Sequence, residues 1–190
     1  MKNHISSILD LFPLGSHINA EHSLITGNLS IMELVKKYGS PLYIYDYETI
    51  RKQYEEFKHA FNDSYPTTEI LYASKVFLNI PFAQILKDLG LKFDVVSLGE
   101  ISMLLSADIP LSNAYFHGNN KTVEEIELSI TNGINAIVID NIEEISLVNS
   151  ISKKHEIKQK ILLRVTPNID PYTHEKTTTG LKDSKFGLSI

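Results

Sequence analysis

The chain has 190 residues, with 18 Lys+Arg against 23 Asp+Glu and 7 His, for a formal net charge of -5. Its 43% apolar and 22% charged residues are the composition of a globular protein long enough to bury a core. No Lys/Arg cluster offers a phosphate footprint, which excludes a general nucleic-acid coat. The absence of cysteine excludes a disulfide scaffold, a thiolate metal site and a cysteine nucleophile within these residues.

The first roughly 28 residues are rich in turn formers (Pro13, Gly15, Asn19, Gly27, Asn28) and read as loops and short extended pieces. The apolar run from Ile5 to Leu14 is broken by Ser6, Ser7, Asp10 and Pro13. It is too polar for a signal peptide or a membrane span, so a cytoplasmic, unprocessed protein is expected. Ser30-x-x-Glu33 is a capping box. Ile31, Leu34, Val35 and Tyr38 follow at helical spacing, and Gly39 and Pro41 mark the stop. Pro41 to Asp46 reads as a short strand. A longer helix then carries Ile50, Tyr54, Phe57 and Phe61 on one face.

From residue 70 a strand–helix rhythm begins. Strands are predicted at Ile70–Val76, Lys92–Val96, Asn113–His117, Ala136–Asp140 and Lys160–Thr166, with starts roughly 21 to 24 residues apart. A sixth is foreshadowed near Lys185. Between them lie apolar stripes at helical spacing: Phe82, Ile85, Leu86 and Leu89 before Gly90; Ile101, Leu104 and Leu105 behind Glu100; Val123, Ile126 and Ile130 behind the box Thr122-x-x-Glu125. The last is Ile142, Ile145 and Val148, capped by Asp140 with Glu143 at the box position. Ile137-Val-Ile139 and Ile161-Leu-Leu163 read as strands buried on both faces. The class is α/β with parallel strands, either a doubly wound sheet or a (β/α)8 barrel. No G-x-G-x-x-G follows a strand and no G-x-x-x-x-G-K-[ST] occurs, which weakens a nucleotide-binding reading.

Functional groups of parallel α/β folds gather at the C-terminal ends of the strands. Those ends carry Lys75, Asp94, His117, Asp140 and Arg164. A lysine inside a strand is unusual, and burial would free its amine to attack a carbonyl, the chemistry of a Schiff base. The alternative is a strand-end lysine with its head in water. Asp94 can equally end a strand and begin a turn, Glu100 can serve the N-terminus of its helix, Arg164 can be an ion-pair partner, and His117 can be a satisfied strand-end histidine. His4, His17, His22, His59 and His155 have no paired spacing, and no metal site is read in them.

Seven segments occur in order: Tyr72-Ala-Ser-Lys75; Phe93-Asp-Val-Val-Ser97 with Gly99-Glu100; His117-Gly-Asn-Asn-Lys121; Leu163-Arg-Val-Thr-Pro167; Thr173-His-Glu175; Thr179-Gly180; and Asp183-Ser-Lys-Phe-Gly187. Together they resemble the motifs of diaminopimelate decarboxylases, pyridoxal 5'-phosphate enzymes built on an alanine-racemase-like barrel. The resemblance runs from about Leu29 to the last residue. It implies that Lys75 binds pyridoxal 5'-phosphate covalently, that Asp94 lies close to the cofactor with Glu100 behind it, that Arg164 lies near its ring oxygen, and that His117 belongs to its surroundings. His174 and Ser184 fall in signature segments without an assigned role.

The fold implied is a partial (β/α)8 barrel, incomplete at its C-terminal side. Residues 41–190 form the barrel portion, and residues 1–40 form a segment packing on the barrel or on a β-rich second domain. The reaction implied is decarboxylation of meso-diaminopimelate to L-lysine, in the full-length family by a homodimer acting on a small amino-acid substrate, without nucleic acid or membrane. Later family segments supply a histidine stacked on the cofactor, glycine-rich loops for its phosphate, a carboxylate at the pyridine nitrogen and a cysteine near the substrate. None of these is present, so the expectation is a truncated or split product that is inactive alone. The alternatives are a related ornithine- or arginine-type decarboxylase and a non-catalytic binding protein that retains half a barrel.

Overall fold

A computed structural model describes residues 8–167, 169 and 186–189. It divides the chain into two compact units, Met1–Thr68 and Glu69–Ile190.

The first unit begins with three short antiparallel strands, β1 (His17–Ile18), β2 (Leu24–Thr26) and β3 (Leu29–Ser30), in the order β1-β2-β3. Gly27 and Asn28 join β2 to β3 with φ of 56° and 61°, the two positive φ values that a tight primed hairpin turn requires. Helix α1 (Ile31–Tyr38) starts at Ser30, whose hydroxyl accepts the Glu33 N–H, and ends at Gly39 with φ 85°, as its sequence signals predict. Helix α2 (Tyr47–Asn62) is capped by Asp46, which accepts the N–H and the hydroxyl of Thr49 at 2.8 and 2.6 Å.

One expectation fails here. Pro41–Asp46 is not a strand. Its apolar residues face water (Tyr43 is 85% exposed), and no described strand lies alongside to take up its backbone groups. The predicted helix α2 does form, and none of its residues is buried.

The second unit alternates strands with helices: β4 (Leu71–Ala73), α3 (Ile80–Leu89), β5 (Lys92–Val95), α4 (Leu98–Ser106), β6 (Ala114–Phe116), α5 (Val123–Thr131), β7 (Ala136–Ile139), α6 (Ile142–Lys154) and β8 (Ile161–Leu163). The five strands are all parallel and adjacent in chain order, β4-β5-β6-β7-β8. A doubly wound sheet reverses its strand order at a switch point. This one does not, and each new unit extends the sheet in the same direction, as in an arc of a (β/α)8 barrel. A further strand pair continues the array, with β9 (Val165–Thr166) parallel to β10 (Leu188–Ser189).

The core lies between the sheet and its helices. Phe93, Val95, Ile101, Leu104, Phe116, Ile126, Ile137 and Ile139 are all fully buried, each contributing on the order of 1.5–3 kcal/mol relative to exposure. All four residues of β7 are buried, as a central parallel strand should be. Strand β8 contradicts the same expectation: Ile161, Leu162 and Leu163 are 37%, 41% and 54% exposed. Strand β8 has β7 on one side and, among the described residues, no strand on the other, so its apolar run is that of an interior strand standing at an edge.

Candidate functional site

The C-terminal ends of the strands hold the predicted residues, with one correction in position. Lys75 is not inside a strand. Strand β4 stops at Ala73, and Lys75 sits exposed in the turn after it. The Ser74 N–H donates to the Asp94 carbonyl at 2.9 Å and the Val76 N–H returns to the Ala73 carbonyl at 3.1 Å. The Tyr72 hydroxyl braces the turn by donating to the Phe77 carbonyl at 2.9 Å. The Ser74 side chain is buried, with no hydrogen-bond partner for its hydroxyl.

Asp94 lies in β5, in register with Ala73 on one side and Tyr115 on the other. Its Oδ1 is buried without a hydrogen bond, and the nearest cationic candidate is His117 Nε2 at 3.8 Å. Burial pushes the Asp94 carboxyl above its ordinary value, against the downward pull of His117 and of the Lys75 ammonium. His117 follows β6, its N–H donating to the Val95 carbonyl at 2.8 Å. Burial depresses its imidazole, against the pull of Asp94 and in the same direction as Lys121 and Arg164. These mutual influences bring Lys75, Asp94, His117 and Arg164 into one electrostatic neighbourhood.

Glu100 stands in the first turn of α4. Its carboxylate accepts the Val96 N–H at 2.7 Å and so closes the turn between β5 and α4. Burial raises its pKa, and the Asp94 carboxylate adds to the rise. Arg164 interrupts the predicted strand between β8 and β9. Its Nη1 donates to Asp140 Oδ1 at 2.9 Å, and its guanidinium lies over the Phe186 ring at 4.6 Å. Its carbonyl accepts the Leu188 N–H at 2.7 Å, tying β10 to the site. His174 and Ser184, with the segments at residues 173–175 and 179–180, lie outside the described residues.

A second cluster stands beside the first and was not legible as one. Lys121 is 9% exposed as a residue and has 1% of its side chain accessible. Its ammonium donates to the carbonyls of Gly118 and Val138, both at 2.7 Å, and to both carboxylate oxygens of Glu144 at 3.0 Å. Glu144 accepts the Asp140 N–H at 3.0 Å. The cap of α6 is Asn141, whose side chain accepts the Glu144 N–H. The predicted cap Asp140 with Glu143 is therefore one residue out of step. Asp140 and Asn141 are both good caps, and the ion pair to Arg164 engages Asp140 instead. The usable signal was the second box spacing, Asn141-x-x-Glu144, which leaves a carboxylate facing the strand end.

An accessible amine at the mouth can attack an aldehyde. The unpartnered Asp94 oxygen can accept a hydrogen bond from a ligand, and the Arg164 guanidinium can face anionic oxygen. Among the described residues no group of His, Asp and Glu is arranged to hold a metal ion, and no helix is long and apolar enough to cross a membrane.

Residues 47–190 match the family model of the pyridoxal-dependent decarboxylases, pyridoxal binding domain. The chain belongs to this family. It is 40% identical over 173 residues to the diaminopimelate decarboxylase of Bacillus methanolicus, and 38% identical over 175 residues to that of Bacillus subtilis strain 168. These alignments cover 91% and 92% of this chain but 40% of each relative, so the chain spans about two fifths of their length. The crystal structure of the diaminopimelate decarboxylase from M. jannaschii in co-complex with L-lysine superposes with a TM-score of 0.81 at 34% identity, over 92% of this chain and 41% of that one. The α/β arc is therefore part of the alanine-racemase-like barrel that the sequence resemblance implied.

Proposed function

We propose that this chain supplies the cofactor-binding portion of a diaminopimelate decarboxylase, which converts meso-diaminopimelate to L-lysine with pyridoxal 5'-phosphate. The observation that carries the reading is the gathering of Lys75, Asp94, His117 and Arg164 at one end of a parallel barrel arc, with a buried Asp94 oxygen that has no partner. An orphaned carboxylate oxygen in a half-buried site costs stability unless a ligand satisfies it, and a cofactor with polar substituents fits that vacancy in the hydrogen-bonding. The amine of Lys75 would hold the cofactor's aldehyde carbon. Asp94 and His117 would border it, Arg164 would face its ring oxygen, and Glu100 would keep the β5–α4 turn in place behind Asp94. Pyridoxal 5'-phosphate, when bound, supplies an electron sink for the pair left as a Cα–carboxylate bond breaks.

The chain's own contribution is orientation and electrostatics. The turn at Ser74 and Val76 presents the Lys75 amine at the open end of the sheet. Burial favours the neutral form of His117, so the imidazole that borders the site is less inclined to carry positive charge. Asp140 holds Arg164 by an ion pair, with its backbone fixed to β7 and β10.

We read residues 41–190 as the barrel portion and residues 1–40 as a segment packing on the barrel or on a β-rich second domain. The intact enzyme is read as a cytoplasmic homodimer acting on a small amino-acid substrate. The identity to diaminopimelate decarboxylases supports that substrate over ornithine or arginine. The test is a decarboxylation assay on the intact protein carrying these residues, with meso-diaminopimelate, ornithine and arginine offered separately. Carbon dioxide release from meso-diaminopimelate, abolished by Lys75→Ala, is the expected result. Preference for ornithine or arginine overturns the substrate, and no turnover with any of them in a folded, cofactor-loaded protein favours a binding role.

A further inference from the structure

We infer that Lys121 and Glu144 are positioning residues for Arg164, acting through Asp140. The argument begins with saturation. All three protons of a lysine ammonium can donate, and the Lys121 acceptors are two carbonyls and a bidentate carboxylate, all at 2.7 to 3.0 Å. With 1% of its side chain exposed, this amine is no second nucleophile, because every donor direction is taken and solvent does not reach it. A charge buried this completely needs its partner, and the pair is costly unless both members are fully hydrogen-bonded.

Where the pair sits says what it holds. Gly118 and Lys121 belong to the loop after β6, Val138 and Asp140 to the end of β7, and Glu144 to the first turn of α6. The ammonium binds all three pieces to one point. The same carboxylate oxygen that faces Lys121 also accepts the Asp140 N–H. This fixes the Asp140 backbone between the end of β7 and the α6 cap Asn141. The Asp140 side chain is 4% exposed and reaches Arg164 Nη1 at 2.9 Å. Arg164 is a third exposed and packs its other side on Phe186. The chain of contacts therefore runs from a fully buried ion pair to the partly exposed guanidinium at the mouth. A long, rotamer-rich side chain there is pre-organised only if its carboxylate partner cannot move.

What Arg164 faces rests on the proposed function; how Arg164 is held does not, and the test separates the two. The variant is Lys121→Met with Glu144→Met in the intact protein, which removes both charges together and leaves neither buried alone. A crystal structure reads the Arg164–Asp140 contact, and titration with pyridoxal 5'-phosphate reads cofactor affinity. The expected result is loss or doubling of the Arg164 rotamer away from Asp140, with cofactor Kd raised about tenfold. Arg164→Met should weaken binding by a similar factor, and adding it to the pair variant should weaken binding no further, since residues acting in series are non-additive. Ile126→Ala, in the core of α5, is the control. It should lower the melting temperature at least as much while leaving Arg164 and the Kd unchanged.

An Arg164–Asp140 contact unaltered in the pair variant overturns the inference, as does multiplication of the two Kd losses. If the contact is lost but the wild-type protein binds no pyridoxal 5'-phosphate, the positioning role stands and the proposed function falls. Should the pair variant fail to fold, Glu144→Gln takes its place, with the expectation of a displaced Arg164 and a Kd raised about threefold. An undisturbed Arg164 in that variant is equally contrary.

Discussion

At Asp94 two forces act on one carboxyl. Burial raises its pKa, and the nearby His117 and Lys75 offset only part of the rise. A raised carboxylate pKa means that the folded apoprotein holds a proton on Asp94 more readily than the unfolded chain does. Stability is then greatest below the ordinary aspartate value, falls as pH rises through the raised one, and stays reduced above it. Asp94→Asn should remove this penalty. The cofactor-free variant should be more stable than wild type at pH 7, with the difference shrinking toward pH 4. Parallel thermal melts at the two pH values check it, and a gap independent of pH would contradict the assignment. The same variant should bind pyridoxal 5'-phosphate more weakly. The sequence made Asp94 and Lys75 visible as polar residues in apolar surroundings. It did not show that Lys75 lies in a turn, because Tyr72-Ala-Ser-Lys-Val76 keeps an extended pattern beyond the last paired residue, Ala73. The partner of Lys121 was also hidden, since nothing local links residues 121 and 144.

Among the elements, the caps of α1 and α5 were read correctly, while that of α6 fell one residue out of step. Thr122 and Glu125 form a full capping box at the start of α5, because its contacts lie within four residues and need no tertiary help. Glu125 also does something no window reveals. Its Oε1 accepts the Leu98 N–H at 2.9 Å while Oε2 accepts that of Thr122 at 2.8 Å, so one carboxylate joins the starts of α4 and α5. Burial works against its ionisation, yet these hydrogen bonds hold its pKa below the usual value. Glu125→Ala should cost about 2 kcal/mol, because the Leu98 and Thr122 N–H groups both lose their acceptor, read as a lower denaturant midpoint with unchanged slope. A loss below about 0.5 kcal/mol, the range of an ordinary surface change, would show that the second hydrogen bond adds nothing. Strand β8 and the segment Pro41–Asp46 mark the limit of such local reading. Both have strand-like composition, but whether a strand forms or is covered depends on neighbours that a local pattern does not contain.

For the molecule as a whole, parallel order was legible from the strand–helix spacing alone; the barrel over an open sheet came from the family resemblance, and the sequential strand order bears it out. The described sheet leaves β4 and β8 each with one neighbour, and β8 exposes an apolar run. Open edges with apolar faces associate readily. Residues 1–190 produced by themselves should therefore sediment as heterogeneous assemblies and show no decarboxylation of meso-diaminopimelate. Analytical ultracentrifugation with the assay tests both, and a monodisperse, cooperatively melting, active species would contradict the picture.

The account turns on the amine of Lys75, and reductive trapping tests it most directly. The intact protein is loaded with pyridoxal 5'-phosphate, treated with borohydride, digested and mapped by mass spectrometry. The predicted result is a phosphopyridoxyl mass on the peptide containing Lys75, absent from Lys121 and lost in Lys75→Ala. A cofactor adduct on another lysine, or none in a folded protein, would contradict it.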